Sequence, residues 1–201
     1  MPEWDADSPE LQRNLAKVLA STRDTARGRV VPALELARGW QRETMRGLTL
    51  PEDAQAQYVG QYRGEAGLEL IGVRIGDARG VDPVRVGAAL KDFESLLQQV
   101  LAALDQALPV GTPLDGDGLA AVVEVAAWAH AEWIRIHPFA NGNGRTARNW
   151  ANFIFMRYGL PPAVRGRPRP GGGYEAASVM AGDWHPTVLV FERMLRDAIA
   201  T

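Results

Sequence analysis

A mostly α-helical fold, a bundle packed around one central buried helix with a single small β-hairpin, is predicted by three observations. Apolar residues recur at helical spacing over most of the 201 residues. The run LAAVVEVAAWAHAEWIRI, residues 119–136, is apolar on most sides, which marks a helix enclosed by others. Only YRGEAGLELIGVRIGDARGV, residues 62–81, alternates apolar and polar side chains as a strand does.

Taken in order, residues 9–46 read as helical, opening with Ser8-Pro9-Glu10, an N-cap followed by proline in the first turn. Leu11, Leu15, Val18 and Leu19 form its apolar positions. A break near Gly28 and Pro32 leads to a second run carrying Leu34, Leu36, Ala37, Trp40 and Met45. Residues 1–55 are thus expected as an N-terminal helical segment packed on a core of residues 56–201. In the core, Leu68, Leu70, Val73 and Ile75 suggest the hairpin, and Asp82-Pro83 restarts a helix with the stripe Val86, Leu90, Phe93, Leu97, Val100, Leu101 and Leu104. Pro109, Gly111 and Pro113 make a loop, and Asp115 or Asp117 opens the buried helix. TARNWANFIFMRYGL, after Arg145, is a further helix stopped by Gly159-Leu160-Pro161-Pro162. VRGRPRPGGG, residues 164–173, reads as a solvated loop. A last helix over 174–199 is interrupted around residues 182–186.

Composition limits the chemistry. The chain has no cysteine, so disulfides, thiolate metal sites and cysteine nucleophiles are excluded. A net charge of −2 lacks the basic signature of a nucleic-acid binder. No apolar run is long enough to span a bilayer, and MPEWDADSPE has no apolar signal core, so a cytoplasmic location is the expectation. Two lysines stand against twenty arginines, a bias that codon usage explains as simply as phosphate binding.

The densest chemistry lies in IHPFANGNGRTAR, residues 136–148, between the buried helix and the next one. Gly142, Asn143 and Gly144 suit a loop whose backbone N–H groups converge on an anion at a helix N-terminus. Arg145 and Arg148, three apart, share a face of the first turn and reach further phosphates. Two arginines there oppose the helix dipole unless an anion is bound, a local conflict of the kind found at functional sites. His137, one of three histidines, is placed to take a proton from an incoming hydroxyl. On spacing alone the composite reading is phosphoryl or nucleotidyl transfer to a hydroxyl, with a hydrogen-bonded structural histidine as the bland alternative. His130 reads as a core histidine and His185 as a turn residue, Trp128, Trp133 and Trp150 as core, and Asn152 as a brace for the loop or a nucleotide.

His137-Pro138-Phe139-Ala140-Asn141-Gly142-Asn143-Gly144-Arg145-Thr146-Ala147-Arg148 resembles the signature of the Fic family, HPFx(D/E)GNGRxxR, at every position but one. The preceding apolar helix, the helix ending in GLPP and the segment at the place of the family's flap extend the resemblance over roughly residues 60–198. Fic proteins are mainly helical enzymes, most of which transfer AMP from ATP to a Ser, Thr or Tyr hydroxyl of a target protein. The resemblance implies His137 as general base, and Gly142, Asn143 and Gly144 as the anion hole. Arg145 would lie at the β-phosphate, Arg148 at the γ-phosphate, and Phe139 would be a buried anchor. Leu68, Leu70, Val73 and Ile75 would be the flap that docks the target by strand addition. Gly144 matches the nucleotidylating members rather than those with a lysine near the end of the motif, which act as kinases.

The departure is Asn141, where most relatives carry the Asp or Glu that binds Mg²⁺. An amide oxygen brings no negative charge to a hard cation. Three outcomes follow: the phosphates hold Mg²⁺ largely alone, activity is reduced, or the donor has shifted to UMP, phosphocholine or another phosphoryl-linked group. A nucleotide-binding regulatory protein weakened by Asn141 is the reading outside enzymes. The family's inhibitory helix, [S/T]xxxE[G/N], is not matched at either place it was sought, since Ser8 precedes Gln12 and Thr187 precedes Phe191 by four. A separate antitoxin-like chain supplying that helix, which would make this a toxin-like member, is therefore the expected partner beside the target, unless regulation differs.

Overall fold

The structure is a computed structural model that describes residues 7–50, 56–165 and 176–200. In chain order it runs α1 (Pro9–Arg27), α2 (Leu34–Met45), a 3₁₀ turn (Ala56–Tyr58), β1 (Arg74–Ile75), β2 (Ala78–Arg79), α3 (Pro83–Ala107), α4 (Gly116–Ile136), α5 (Asn143–Arg157), α6 (Ala176–Met180) and α7 (His185–Ile199). The stretch 166–175, which holds most of the RGRPRP tract and the expected start of the last helix, lies outside the described residues.

Local chemistry sets most helix ends. The Ser8 hydroxyl caps α1 by accepting the Leu11 N–H (3.2 Å), and Asp115 caps α4 by accepting the Gly118 N–H (2.7 Å). Asp82 accepts the Val84 N–H (3.1 Å) at the head of α3. Behind α5, Gly159 takes a left-handed φ of 81° and the Leu160 N–H returns to the Phe155 carbonyl (3.0 Å). The helix expected after Arg145 starts at Asn143 instead, because Gly142, at φ 89°, serves as its N-cap.

One continuous apolar core joins Val18 of α1, Ala37 and Trp40 of α2, the Val86, Leu90, Phe93, Leu97 and Leu101 stripe of α3, and the inner faces of α4, α5 and α7. α4 packs on α3, α5, α6 and α7, as a central helix should. α5 is enclosed still more completely, with every residue but Gly144 buried. Its polar side chains hid this in the sequence, but several find partners inside. Asn149 donates to the Thr22 hydroxyl (2.8 Å), while Asn152 donates to the Val164 carbonyl (2.7 Å) and accepts the Val164 N–H (3.0 Å). Asn152 therefore braces the 160–165 loop. Trp150 touches Trp40 edge-on at 4.7 Å between centroids, with Phe93 at 5.8 Å and Trp133 at 5.9 Å. Aromatic pairs in such tilted geometry add to the area they bury.

The hairpin is shorter and later than the alternation suggested. Arg74 pairs with Arg79 and Ile75 with Ala78, and the Gly80 N–H to Val73 carbonyl bond (3.2 Å) extends the ladder. Val73 and Ile75 thus belong to the hairpin, but Leu68 and Leu70 do not. Turns occupy that backbone, with Gly64 donating to the Leu68 carbonyl (2.9 Å) and Leu68 to the Glu65 carbonyl (2.7 Å). Leu68 is fully buried, whereas Leu70 is 93% exposed.

Trp150→Ala should destabilise the fold by about 3–5 kcal/mol, since it empties the aromatic junction between α2, α3, α4 and α5. Denaturant unfolding will show this as a lower midpoint with an unchanged slope.

Candidate active site

The segment 137–142 links the carboxyl end of α4 to the amino end of α5. α4 stops because His137 turns left-handed (φ 52°, ψ 57°), its N–H bonding the Trp133 carbonyl (2.9 Å) while Pro138 bars any continuation. A non-glycine residue in that conformation is strained by about 1–2 kcal/mol. Strain of this kind gathers where a side chain must be aimed. His137 Nδ1 lies 3.1 Å from the Ile134 carbonyl. A carbonyl only accepts, so Nδ1 carries the proton and Nε2 the lone pair. Burial pushes the imidazole pKa down to about 4, the Ile134 bond opposes this and the Arg63 charge adds to it, so the ring is neutral at pH 7.

One side-chain amide closes the loop. The Phe139 N–H donates to Asn143 Oδ1 and Asn143 Nδ2 donates back to the Phe139 carbonyl, both at 2.8 Å. Phe139 itself is buried against Tyr62 (4.8 Å between centroids), the anchor expected of it. The Asn143 side chain is thus committed to the loop, and its backbone N–H is what it brings to the helix start. Of the loop's glycines and asparagines only Gly142 has a positive φ, and Gly144 is already helical. Space at Gly144 is tight: a Cβ there would stand 3.2 Å from Arg148 Nη1.

The N-cap of α5 is Gly142, and among the described residues no side chain caps the helix there. Arg145 and Arg148 are both buried and both line a cavity of about 420 Å³ that Thr146, Asn149 and the α1 residues Leu15 and Leu19 also wall. The helix start and two guanidinium groups bring positive charge to this cavity, whose wall also carries Asp7, and such groups can hold phosphates.

Asn141 Oδ1 accepts the Gly142 N–H (2.5 Å) and lies 3.5 Å from Arg145 Nη2. That oxygen is neutral, already engaged and next to a cation, which is a poor fit to Mg²⁺. No group of three or more His, Cys, Asp or Glu side chains suited to a metal occurs among the described residues.

Two residues that sequence reasoning missed hold this loop from outside. Gln41 of α2 donates to the Asn141 carbonyl (3.3 Å) and the Tyr58 carbonyl (3.1 Å), and accepts the Gly60 N–H (2.6 Å). Arg63 Nε donates to the His137 carbonyl (2.7 Å). Neither has a sequence signal, since both stand among other polar residues, in RGWQRET and QYRGE. His130 is buried edge-on against Phe191 (5.4 Å), and His185 is exposed at the first position of α7, beside Asp183 of the preceding turn.

Residues 49–155 match the Fic/DOC family. The chain is 52% identical over 42 residues to the protein adenylyltransferases of Caenorhabditis elegans and Nematostella vectensis, a stretch covering 21% of this chain but only 8% and 10% of those proteins. Among solved structures, a Fic domain containing signaling protein from Bacteroides thetaiotaomicron superposes with a TM-score of 0.61 at 20% identity, covering 92% of this chain and 68% of that one. A Fic family protein from Desulfovibrio desulfuricans gives 0.58 at 21% identity, over 97% and 54% of the two chains. These likenesses show the fold. No helix among the described residues is long and apolar enough to cross a membrane.

Burial holds His137 to a pKa of about 4 and, with the Arg148 charge adding, His130 to about 3. As pH falls below about 6.5 the unfolded chain therefore binds protons that the folded chain refuses. Stability should fall with pH, approaching about 1.4 kcal/mol per pH unit for each histidine between pH 6.5 and 5. Unfolding measured at pH 7, 6 and 5 tests this, and a flat stability across that range would contradict it.

Proposed function

Because the chain belongs to the Fic/DOC family, we propose that it transfers AMP from ATP to a Ser, Thr or Tyr hydroxyl of a target protein. The observation that carries this reading is the partly buried His137, whose Nδ1 is tied to Ile134 and whose Nε2 keeps its lone pair, in the loop that leads into the start of α5, where Arg145 and Arg148 line the cavity. A ring fixed in one tautomer and kept neutral is ready to accept a proton.

In the proposed reaction the target hydroxyl gives its proton to His137 Nε2 and its oxygen forms a bond to the α-phosphorus. The bond from that phosphorus to the bridging oxygen of the β-phosphate breaks, and pyrophosphate leaves. The first-turn N–H groups of α5, those of Asn143 and Gly144 among them, face the charge that develops on the α- and β-phosphates. Arg145 and Arg148 take the β- and γ-phosphates, and the cavity they line gives the triphosphate tail room. Asn141 Oδ1, neutral and already accepting the Gly142 N–H, would offer Mg²⁺ little. The metal's position would be set by the nucleotide's own phosphates.

The neutral Asn141 favours one second reading, a donor such as UTP or a CDP-linked phosphocholine in place of ATP. Labelled donors separate the two: incorporation into a target lysate from ATP supports AMP transfer, and incorporation only from another donor replaces it.

His137→Ala should abolish incorporation, and equal label with and without His137 would sink the reading. The kcat/KM profile should stay flat from pH 7 to about 5, since loss of the base requires protonation at a pKa near 4 rather than near 6.5. Asn141→Asp should lower the Mg²⁺ concentration needed for half-maximal transfer several-fold, whereas an unchanged requirement would show that position 141 does not touch the metal.

A further inference from the structure

We infer that Arg63 is the positioning residue that fixes His137 in its strained conformation and locks the 71–81 hairpin to it as one unit. The inference goes beyond the proposed reaction but rests on it for one readout only.

Arg63 is 1% exposed, yet no carboxylate forms a salt bridge with it among the described residues. Four of its five guanidinium N–H groups go instead to backbone carbonyls. Nε donates to His137 (2.7 Å) and Nη2 to Ile136 (3.0 Å), which are the last carbonyls of α4. Nη1 donates to Ile71 (3.1 Å) and Nη2 also to Val81 (2.9 Å), the two stems of the hairpin. Its own backbone N–H donates to the Pro138 carbonyl (2.7 Å).

A buried cation is costly unless something negative faces it. Here that is the carbonyl end of α4, where the helix dipole is negative and the final carbonyls lack partners of their own. Burial still pulls the guanidinium pKa down to about 10, with Asp82 opposing, so the group remains charged at neutral pH. The same bonds explain how a histidine keeps a left-handed backbone without glycine's freedom: the carbonyls on both sides of the turn at His137 are pinned by one rigid fork.

The fork also makes the hairpin part of the site. Gly80 lies so close that a Cβ there would stand 3.1 Å from His137 Cβ, 3.2 Å from Arg63 Nη2 and 2.7 Å from Val73 Cγ2. The hairpin backbone at Gly80 is thus packed closely against both His137 and the Arg63 fork. A lysine cannot replace this arrangement, since a single ammonium has no planar fork to span both hairpin stems and the helix end.

The test uses the full chain with Arg63→Lys, Arg63→Met and Gly80→Ala. Nitrogen-15 shifts of His137 report the tautomer, and hydrogen exchange of the Gly80 N–H reports the hairpin. Both Arg63 variants should show a His137 ring in mixed tautomers and faster Gly80 exchange, while a purely structural arginine would lower the melting temperature and leave the tautomer alone. Gly80→Ala keeps Arg63 and should disturb the His137 signal by intrusion; if the Arg63 variants fail to fold, an unaltered His137 in folded Gly80→Ala overturns the inference. A folded Arg63→Met with native tautomer and exchange overturns it as well. Where transfer is measurable, Arg63→Lys should lower kcat by about 10²-fold, the loss typical of a slightly misplaced reacting group, with ATP affinity changed less than about twofold. The spectroscopic readouts do not use transfer, so a wild-type chain inactive with every donor would defeat the proposed function without deciding the role of Arg63.

Discussion

The turn from α4 to α5 depends on one amide group. Asn143 bonds both the N–H and the carbonyl of Phe139, closing a five-residue ring with the candidate base just before it and the two arginines just after it. With that ring closed, His137 ends one helix, Gly142 begins the next, and both arginines fall on the first two turns of α5. Phe139 then plugs into the aromatic cluster around Tyr62 and Trp133 and ties the ring to the core. An open loop would leave a helix end, a strained histidine and two buried cations without a frame.

Electrostatics run in opposite directions at the two ends of this turn. The carbonyl end of α4 meets a buried arginine, which suits the dipole. The N–H end of α5 also meets arginines, which does not. The proposed phosphate chain would suit that second end. The imidazole of His137, at the close of α4, is kept from charging by burial and by the neighbouring Arg63 guanidinium.

Much of this was legible in the sequence where the signals are local. Ser8, Asp82-Pro83, Asp115 and Gly159 marked helix ends because capping is settled within four residues. The motif of residues 137–148 marked the site for the same reason. Partners distant in the chain were not legible: Gln41 reaches Asn141 across 100 positions and Arg63 reaches His137 across 74. Backbone carbonyls carry no sequence identity, so a side chain that recognises only carbonyls leaves no matching residue to find. The hairpin was misplaced because Leu68 is apolar for burial beneath a turn, and Leu70, although apolar, is exposed. The enclosure of α5 was hidden by asparagines whose amides bond Thr22 and the Val164 backbone inside the core.

Gly144 and Arg148 sit side by side at the start of α5. A Cβ at 144 would stand 3.2 Å from Arg148 Nη1, so a side chain there is accommodated only if the guanidinium gives way by a few tenths of an ångström. Enlarging the first position therefore moves the tip of the second, and an engineer seeking a different donor would treat the two as a couple.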